Sequence, residues 1–301
     1  MKIVNHWLEA DTPGEKIRIS KSGNALEVIE PKYLIIHYTA TDTAQSAVSW
    51  FMDSSKSNPD NIVAHIVLDV DGTITQLVPF NHRANHAGPS TWDGTDSLNY
   101  HSIGIEIVNP GFVEKLADGS FRRTTDGGFK TYPATNSAKF LKAEHKHKFW
   151  TNKDNHYWGV YPDAQLQALY KLSKVLVQNY HFDITIGHDD SSPARKPDPG
   201  PAFSWDLFKK NVYSSTNNTG KIYLVNTEGT NFRSGPSTAD AAIKKLSKGY
   251  EVGLISTSSD WSKVYLVNSQ SEVLEKVNGK VKSIKTIGWI SSPLLTLKAG
   301  Q

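Results

Sequence analysis

The chain has no cysteine among its 301 residues. That removes disulfides and thiolate metal ligands, so any metal centre must be built from histidine and carboxylate. Long apolar runs are missing too. No segment has the length to cross a bilayer as a helix, and Met1 to Asp11 lacks the apolar core of a secretory signal, so the sequence reads as a soluble protein with no Sec export. Nor does one sign of charge dominate: 33 Lys and Arg face 30 Asp and Glu, for a formal net charge of +3 and a pI near 8.7. With the basic residues dispersed, nucleic acid is not an expected partner, whereas an anionic polymer such as a cell wall stays open. What is present is ordinary globular material. At 38% hydrophobic and 21% charged residues the chain can bury a real core, and its length fits one medium domain followed by a small one.

Strand and helix patterns alternate through the first two thirds. Tyr33 to Tyr38 is apolar up to His37, as a strand buried on both faces and ending in a histidine should be. Asp42 is the expected cap of the helix that follows, with Gln45 as its reciprocal partner. Ile62 to Leu68 and Thr73 to Val78 flank an Asp71-Gly72 turn and predict a hairpin. In Ile103 to Val108 the alternation puts Ile103, Ile105 and Ile107 on one face and Gly104, Glu106 and Val108 on the other. A glutamate on an apolar strand, beside a glycine that leaves space above the sheet, needs a partner or a raised pKa. Glu106 is therefore a candidate acid/base group. From Phe112 to Val160 the pattern weakens. A short helix is expected around Ser137 to Phe149, and the charged setting makes His145, His147 and His156 read as solvated rather than metal-binding. This long stretch is expected to act as a lid or wall beside a site. Pro162 then opens a helix to about Tyr180, Ile184 to Ile186 is a short buried strand, and Ser204 caps a last short helix.

The densest chemistry lies in Gly187 to Pro201, where His188, Lys196 and Asp198 sit among prolines at 193, 197, 199 and 201. Prolines fix their own φ and bias the preceding residue toward extended geometry, so a loop this stiff is not expected to be helix or strand interior. By itself it reads equally as a stiff turn or as half a zinc site. Taken with His37, it would complete a set of three protein ligands, His37, His188 and Asp198, with a fourth position open to water, as in catalytic zinc sites. Zinc brings its water to a pKa of roughly 7, Glu106 could move the proton, and Lys196 could stabilise an oxyanion. The reaction class so described is amide or ester hydrolysis.

These residues sit in motifs that resemble the N-acetylmuramoyl-L-alanine amidases of the type 2 family, related to peptidoglycan recognition proteins. The motifs are Ile36-His37-Tyr38-Thr39-Ala40, Ala64-His65 before Asp71-Gly72-Thr73-Ile74, His86-Ala87-Gly88, Ser102-Ile103-Gly104-Ile105-Glu106, Tyr161-Pro162-Asp163-Ala164-Gln165, Gly187-His188 and Arg195-Lys196-Pro197-Asp198-Pro199-Gly200-Pro201. They run in order through most of residues 31 to 210. The resemblance implies an α/β fold with a mixed central β-sheet flanked by helices. It implies zinc (Zn2+) on His37, His188 and Asp198, and Glu106 and Lys196 as the catalytic pair. The implied substrate is the amide joining muramic acid to L-alanine in peptidoglycan or a muropeptide. Aspartate at 198 is similar to the AmpD-like bacterial branch, others placing cysteine there, and Ala64 stands where some relatives carry a catalytic tyrosine. His65 reads as a core histidine. His86, in a loop with Gly88 and Trp92, reads as a substrate contact together with Trp92, with a loop-stabilising histidine as the alternative.

The expected domain layout is an amidase domain over 1 to 213 with its insert at about 112 to 160, a linker at 214 to 220, and a small all-β domain over 221 to 301. The last resembles bacterial SH3-like domains through Asn231-Phe232-Arg233-Ser234-Gly235-Pro236-Ser237, Gly249, Trp261 and Gly288-Trp289-Ile290. The resemblance implies cell-wall binding, although Trp261 and Trp289 equally suit the core of a small barrel. A non-catalytic peptidoglycan-binding protein and a cytoplasmic muropeptide-recycling amidase are the competing readings; a bacterial or phage lysin released without Sec would reconcile the wall-binding module with the missing signal.

Overall fold

In the computed structural model, all residues are described except 56, 126, 151–155, 181, 183, 214–221, 259, 268–273, 278–279, 284–286 and 299–301. The chain divides into two compact units, Met1–Phe208 and Lys209–Gln301. The expected linker at 214 to 220 lies outside the described residues.

The first unit is organised on a six-stranded sheet in the order Thr185–Gly187, Tyr33–Tyr38, Ser102–Ile107, Ile66–Leu68, Ile74–Gln76, Ile17–Ile19. It is mixed: only Ile66–Leu68 and Ile74–Gln76 run antiparallel, as the Asp71-Gly72 turn requires, and every other neighbour is parallel. Leu34, Ile35 and Ile36 are wholly buried, as the unbroken apolar run demands. On one side the helix Ala44–Met52 lays Ala47 and Phe51 against Val63, Ala64, Val67, Leu77, Val78 and Val108. The long helix Asp163–Tyr180 is tied to the sheet at its start, where buried Gln165 donates through Nε2 to Leu68 O (3.2 Å) and Val108 O (2.9 Å) at the ends of two strands. Among the described residues no helix is long and apolar enough to cross a membrane.

Three local expectations need correction. The Ala44–Met52 helix is capped by Thr43, whose hydroxyl accepts from Ser46 N–H, while Asp42 instead accepts from Tyr132 Oη (2.7 Å) and Arg123 (3.3 Å). The helix expected around Ser137 to Phe149 does not form; 3-10 turns at Ala134–Lys139 and Lys148–Trp150 flank a strand, Phe140–Lys142. That strand closes a separate five-stranded antiparallel sheet in the order Gly128–Tyr132, Phe121–Thr125, Phe112–Lys115, His156–Gly159, Phe140–Lys142, with its own core of Val113, Phe121, Tyr132 and Phe140. Its strands are short and carry few apolar residues, Gly128–Tyr132 burying only Tyr132, so the alternation fades in the sequence. Finally, His188–Ser191 forms one helical turn directly after its strand, because the first proline comes only at 193 and Asp190 Oδ2 accepts from Gly187 N–H (2.8 Å).

The described strands of the second unit form a seven-stranded sheet and a separate two-stranded hairpin, with a core of Val225, Phe232, Leu246, Val252, Leu254, Val264, Leu266 and Ile290. Trp289 is buried there, beside the Lys263 ammonium, and Trp261 is half-buried.

Candidate metal centre

Parallel register explains why residues far apart in sequence meet. His37 pairs with Glu106 across the Tyr33–Tyr38 and Ser102–Ile107 strands, and Gly187 pairs with Ile36 on the other side, so His188 emerges beside His37. All three stand at the carboxyl end of a parallel sheet, where such folds carry function. Asp198 returns to the same point from the proline-rich loop. His37 Nδ1 lies 2.9 Å from His188 Nδ1, and each lies 3.0 Å from Asp198 Oδ2. All three residues are buried, Asp198 only 5% exposed.

The hydrogen bonds around this triangle determine where the protons are. Ser102 Oγ donates to Leu98 O (2.6 Å), so it receives the Nε2–H of His86 (3.3 Å). That leaves His86 Nδ1 as an acceptor for His37 Nε2–H (3.0 Å), and His37 Nδ1 as a bare lone pair. His188 Nε2–H donates to Ala87 O (2.9 Å), which bares its Nδ1 in the same way. The centre is therefore two imidazole lone pairs and a carboxylate oxygen, three acceptors turned on one another with no hydrogen to share. Such a set fits a divalent cation, and two histidines with one aspartate is a zinc donor set. Electrostatics agree. Burial, aided by the charge of His188, lowers His37 to about 4. Burial raises the Asp198 carboxyl, but the two imidazoles facing it, His188 ahead of His37, outweigh burial and hold the group well below the usual carboxylate range.

Glu106 stands next to this triangle on its strand. Its Oε2 is buried and has no hydrogen-bond partner. Burial first, then the Asp198 charge, raises it from 4.5 to about 8, against the opposing charge of Lys196. Lys196 is half-buried on the loop, near enough that its charge acts on both Glu106 and His37.

Of the two residues expected to touch substrate, His86 is buried and Trp92 half-buried. Both ring nitrogens of His86 are engaged, by His37 and Ser102. The space beside Gly104 exists for it, since a Cβ there would come within 2.5 Å of the His86 ring. Trp92, in a short hairpin with Thr95–Asp96, packs against Ile35, Ala87, Leu98 and Ile186. His65 is a core histidine: Gly104 N–H donates to its Nδ1 (3.1 Å) and its Nε2–H donates to His82 O (2.8 Å). Burial lowers it to about 4. His145, expected on a solvated face, is buried, because the strand Phe140–Lys142 carries it against the loop that holds Asp198. His147 and His156, expected on the same solvated face, are half-buried, and nothing in the local sequence distinguishes His145 from them.

A family model described as N-acetylmuramoyl-L-alanine amidase matches residues 27–201. The chain is 31% identical over 210 residues to the N-acetylmuramoyl-L-alanine amidase AmiD of Escherichia coli, covering 66% of this chain and 62% of that protein, so it spans about three fifths of this relative. It is 27% identical over 202 residues to the 1,6-anhydro-N-acetylmuramyl-L-alanine amidase AmpD of Salmonella typhimurium, covering 62% of this chain and 83% of the other. Among solved structures, the complex of AmiD from Escherichia coli with the substrate anhydro-N-acetylmuramic acid-L-Ala-D-gamma-Glu-L-Lys aligns at a TM-score of 0.45 and 28% identity, covering 62% of this chain and 58% of that one.

Proposed function

The chain belongs to the N-acetylmuramoyl-L-alanine amidase family, and from that premise we propose that it hydrolyses the amide between N-acetylmuramic acid and L-alanine in peptidoglycan or its fragments, with zinc held by His37, His188 and Asp198. The observation that carries the reading is the triangle of three acceptors with the unpartnered Glu106 carboxyl beside it. The chemistry zinc supplies there when bound is Lewis acidity and a water acidified to a pKa of roughly 7. Glu106 accepts the proton lost by the attacking water and delivers it to the departing nitrogen of L-alanine. Lys196 sets a positive charge against the carbonyl oxygen as it becomes negative. His86 and Ala87 O hold the two imidazoles in the tautomers that turn Nδ1 inward.

The substrate classes named for AmiD and AmpD, a muramoyl-L-alanine amide and its 1,6-anhydro form, are the two to compare here. The all-β second unit is assigned as an SH3-like wall-binding module, on its sequence resemblance and the separate core it buries. The experiment is release of peptide from intact sacculi and from soluble anhydro-muropeptide by zinc-loaded protein, by protein after complete chelation, and by His188→Ala. Turnover is expected only with metal and intact His188. Equal hydrolysis after chelation would overturn the metal assignment, and tight wall binding with no turnover by the loaded protein would make the chain a binding protein instead. Loss of activity on sacculi but not on muropeptide after removal of residues 222 to 301 is expected if the second unit targets the wall.

A further inference from the structure

We propose that the segment from Phe112 to Val160 is a brace for the Asp198 loop, and that His145 is the positioning residue through which it sets the metal centre. The inference rests on the metal assignment above and goes beyond it, because His145 touches none of the three ligand side chains and belongs to a segment whose local pattern is weak.

Three consecutive carbonyls surround the ligand, and each is held by a donor from a different part of the chain. Pro199 O accepts from Tyr161 Oη (2.8 Å), at the entrance to the long helix. Asp198 O accepts from Asp189 N–H (2.8 Å), within the loop itself. Pro197 O accepts from His145 Nε2 (3.0 Å), from the inserted sheet. The tautomer that this needs is set locally: His147 N–H donates to His145 Nδ1 (3.1 Å), so the proton resides on Nε2 and points at the loop. The same Nε2 lies 3.2 Å from Asp189 Oδ2, next to the ligand His188. One imidazole therefore touches the loop beside two of its metal ligands. It is 3% exposed, so water offers little substitute for it.

The contact is not isolated. Lys146 pairs with Asp189 (3.0 Å) and Asp190 (2.6 Å), and Trp150 Nε1–H donates to Pro193 O (2.9 Å). Trp158, buried and held by Ala143 O through its Nε1–H, lies against His145 and under Gly200. Gly200 has φ +75, and a Cβ there would come within 2.7 Å of that ring, so the close approach of loop and tryptophan needs glycine. Contacts from residues 143 to 158 thus run along the loop from Asp189 to Gly200. Prolines stiffen this loop in sequence, but stiffness alone does not choose a position; the donors on its carbonyls do.

Outer partners of metal ligands change affinity by roughly 10- to 100-fold when removed. The test compares zinc dissociation constants of the full chain, measured by competition with a chromophoric chelator, for wild type, His145→Leu and His145→Gln. Leucine fills the space without a donor, and glutamine restores an N–H that can reach Pro197 O. Leucine is expected to raise the zinc Kd at least tenfold, with glutamine within threefold of wild type. A leucine variant within threefold of wild type, or a glutamine variant as impaired as leucine, overturns the proposal. The melting temperature of each metal-free variant is read alongside; if leucine abolishes the folding transition, His145→Asn, whose amide falls short of Pro197, takes its place under the same criterion. A wild type that binds no zinc would fell the metal centre and this inference together, whereas normal wild-type binding with an unaffected leucine variant fells this inference alone.

Discussion

Glu106 is the group whose chemistry and stability are most directly opposed, and replacing it by glutamine measures the opposition. In the folded protein its carboxyl is raised to about 8 from an ordinary 4.5, by burial first and the Asp198 charge second. In the unfolded chain it ionises near 4.5. Between these two values unfolding therefore releases a proton, and the free energy of unfolding falls as pH rises through the interval, levelling off above about 8. At about 1.4 kcal/mol per tenfold change in proton affinity the full interval is a ceiling of about 5 kcal/mol. Oε2 is enclosed but the residue as a whole is only half-buried, so about 2–4 kcal/mol is the expected loss. Glutamine keeps the shape and does not titrate. The assay is urea denaturation of metal-free wild type and Glu106→Gln from pH 5 to pH 9, followed by tryptophan fluorescence. Trp7, Trp50, Trp92, Trp150, Trp158 and Trp205 report the Met1–Phe208 unit. Taking the difference between the two proteins cancels every other titrating group, including His37, which burial lowers to about 4 and which therefore withdraws stability only as pH falls below its ordinary value. The variant should gain about 2–4 kcal/mol on wild type between pH 5 and pH 9 while losing peptide release. A difference that stays flat across this range would refute the reasoning: Glu106 would then ionise as an ordinary surface carboxylate, with no special fitness as a proton carrier.

Three further outcomes test the site. His86→Phe keeps an aromatic ring above Gly104 but cannot accept from His37 Nε2–H; zinc affinity should fall about 10- to 100-fold, read by chelator competition. Lys196→Met should lower kcat by about 10²–10³, since its charge stabilises the developing oxyanion, without weakening zinc binding, because the charge removed has the metal's own sign. Gly104→Ala puts a Cβ within 2.5 Å of the His86 ring; it should cost about 1–3 kcal/mol in urea denaturation and weaken zinc binding in the same protein, and unchanged zinc affinity would show that the His86 ring can yield without disturbing His37.

What the sequence determined by itself follows from chemistry that is local along the chain. An unbroken apolar run ending in a histidine marks Tyr33 to Tyr38, alternation isolates Glu106 with Gly104 beside it, and the spacing of prolines marks the loop that carries Lys196 and Asp198. Each of these needs only a few neighbouring residues to be read. The proline rule overreached only at His188–Ser191, where four proline-free residues had room for a helical turn. Tertiary structure alone decided what those residues meet. His37 and His188 lie 151 positions apart and touch because two parallel strands share a register, which no local period encodes. His86 looked like a residue of an open loop and is instead a buried link between Ser102 and His37, because Gly104 vacates the volume it fills. The inserted sheet hid its strands behind polar faces, and His145 is set apart from His147 and His156 by its burial against the carbonyl of Pro197, 52 residues away, and the carboxylate of Asp189. Periodicity records which way a side chain points; what stands opposite is set by strand register and packing, and there the triangle of His37, His188 and Asp198 and its supports were decided.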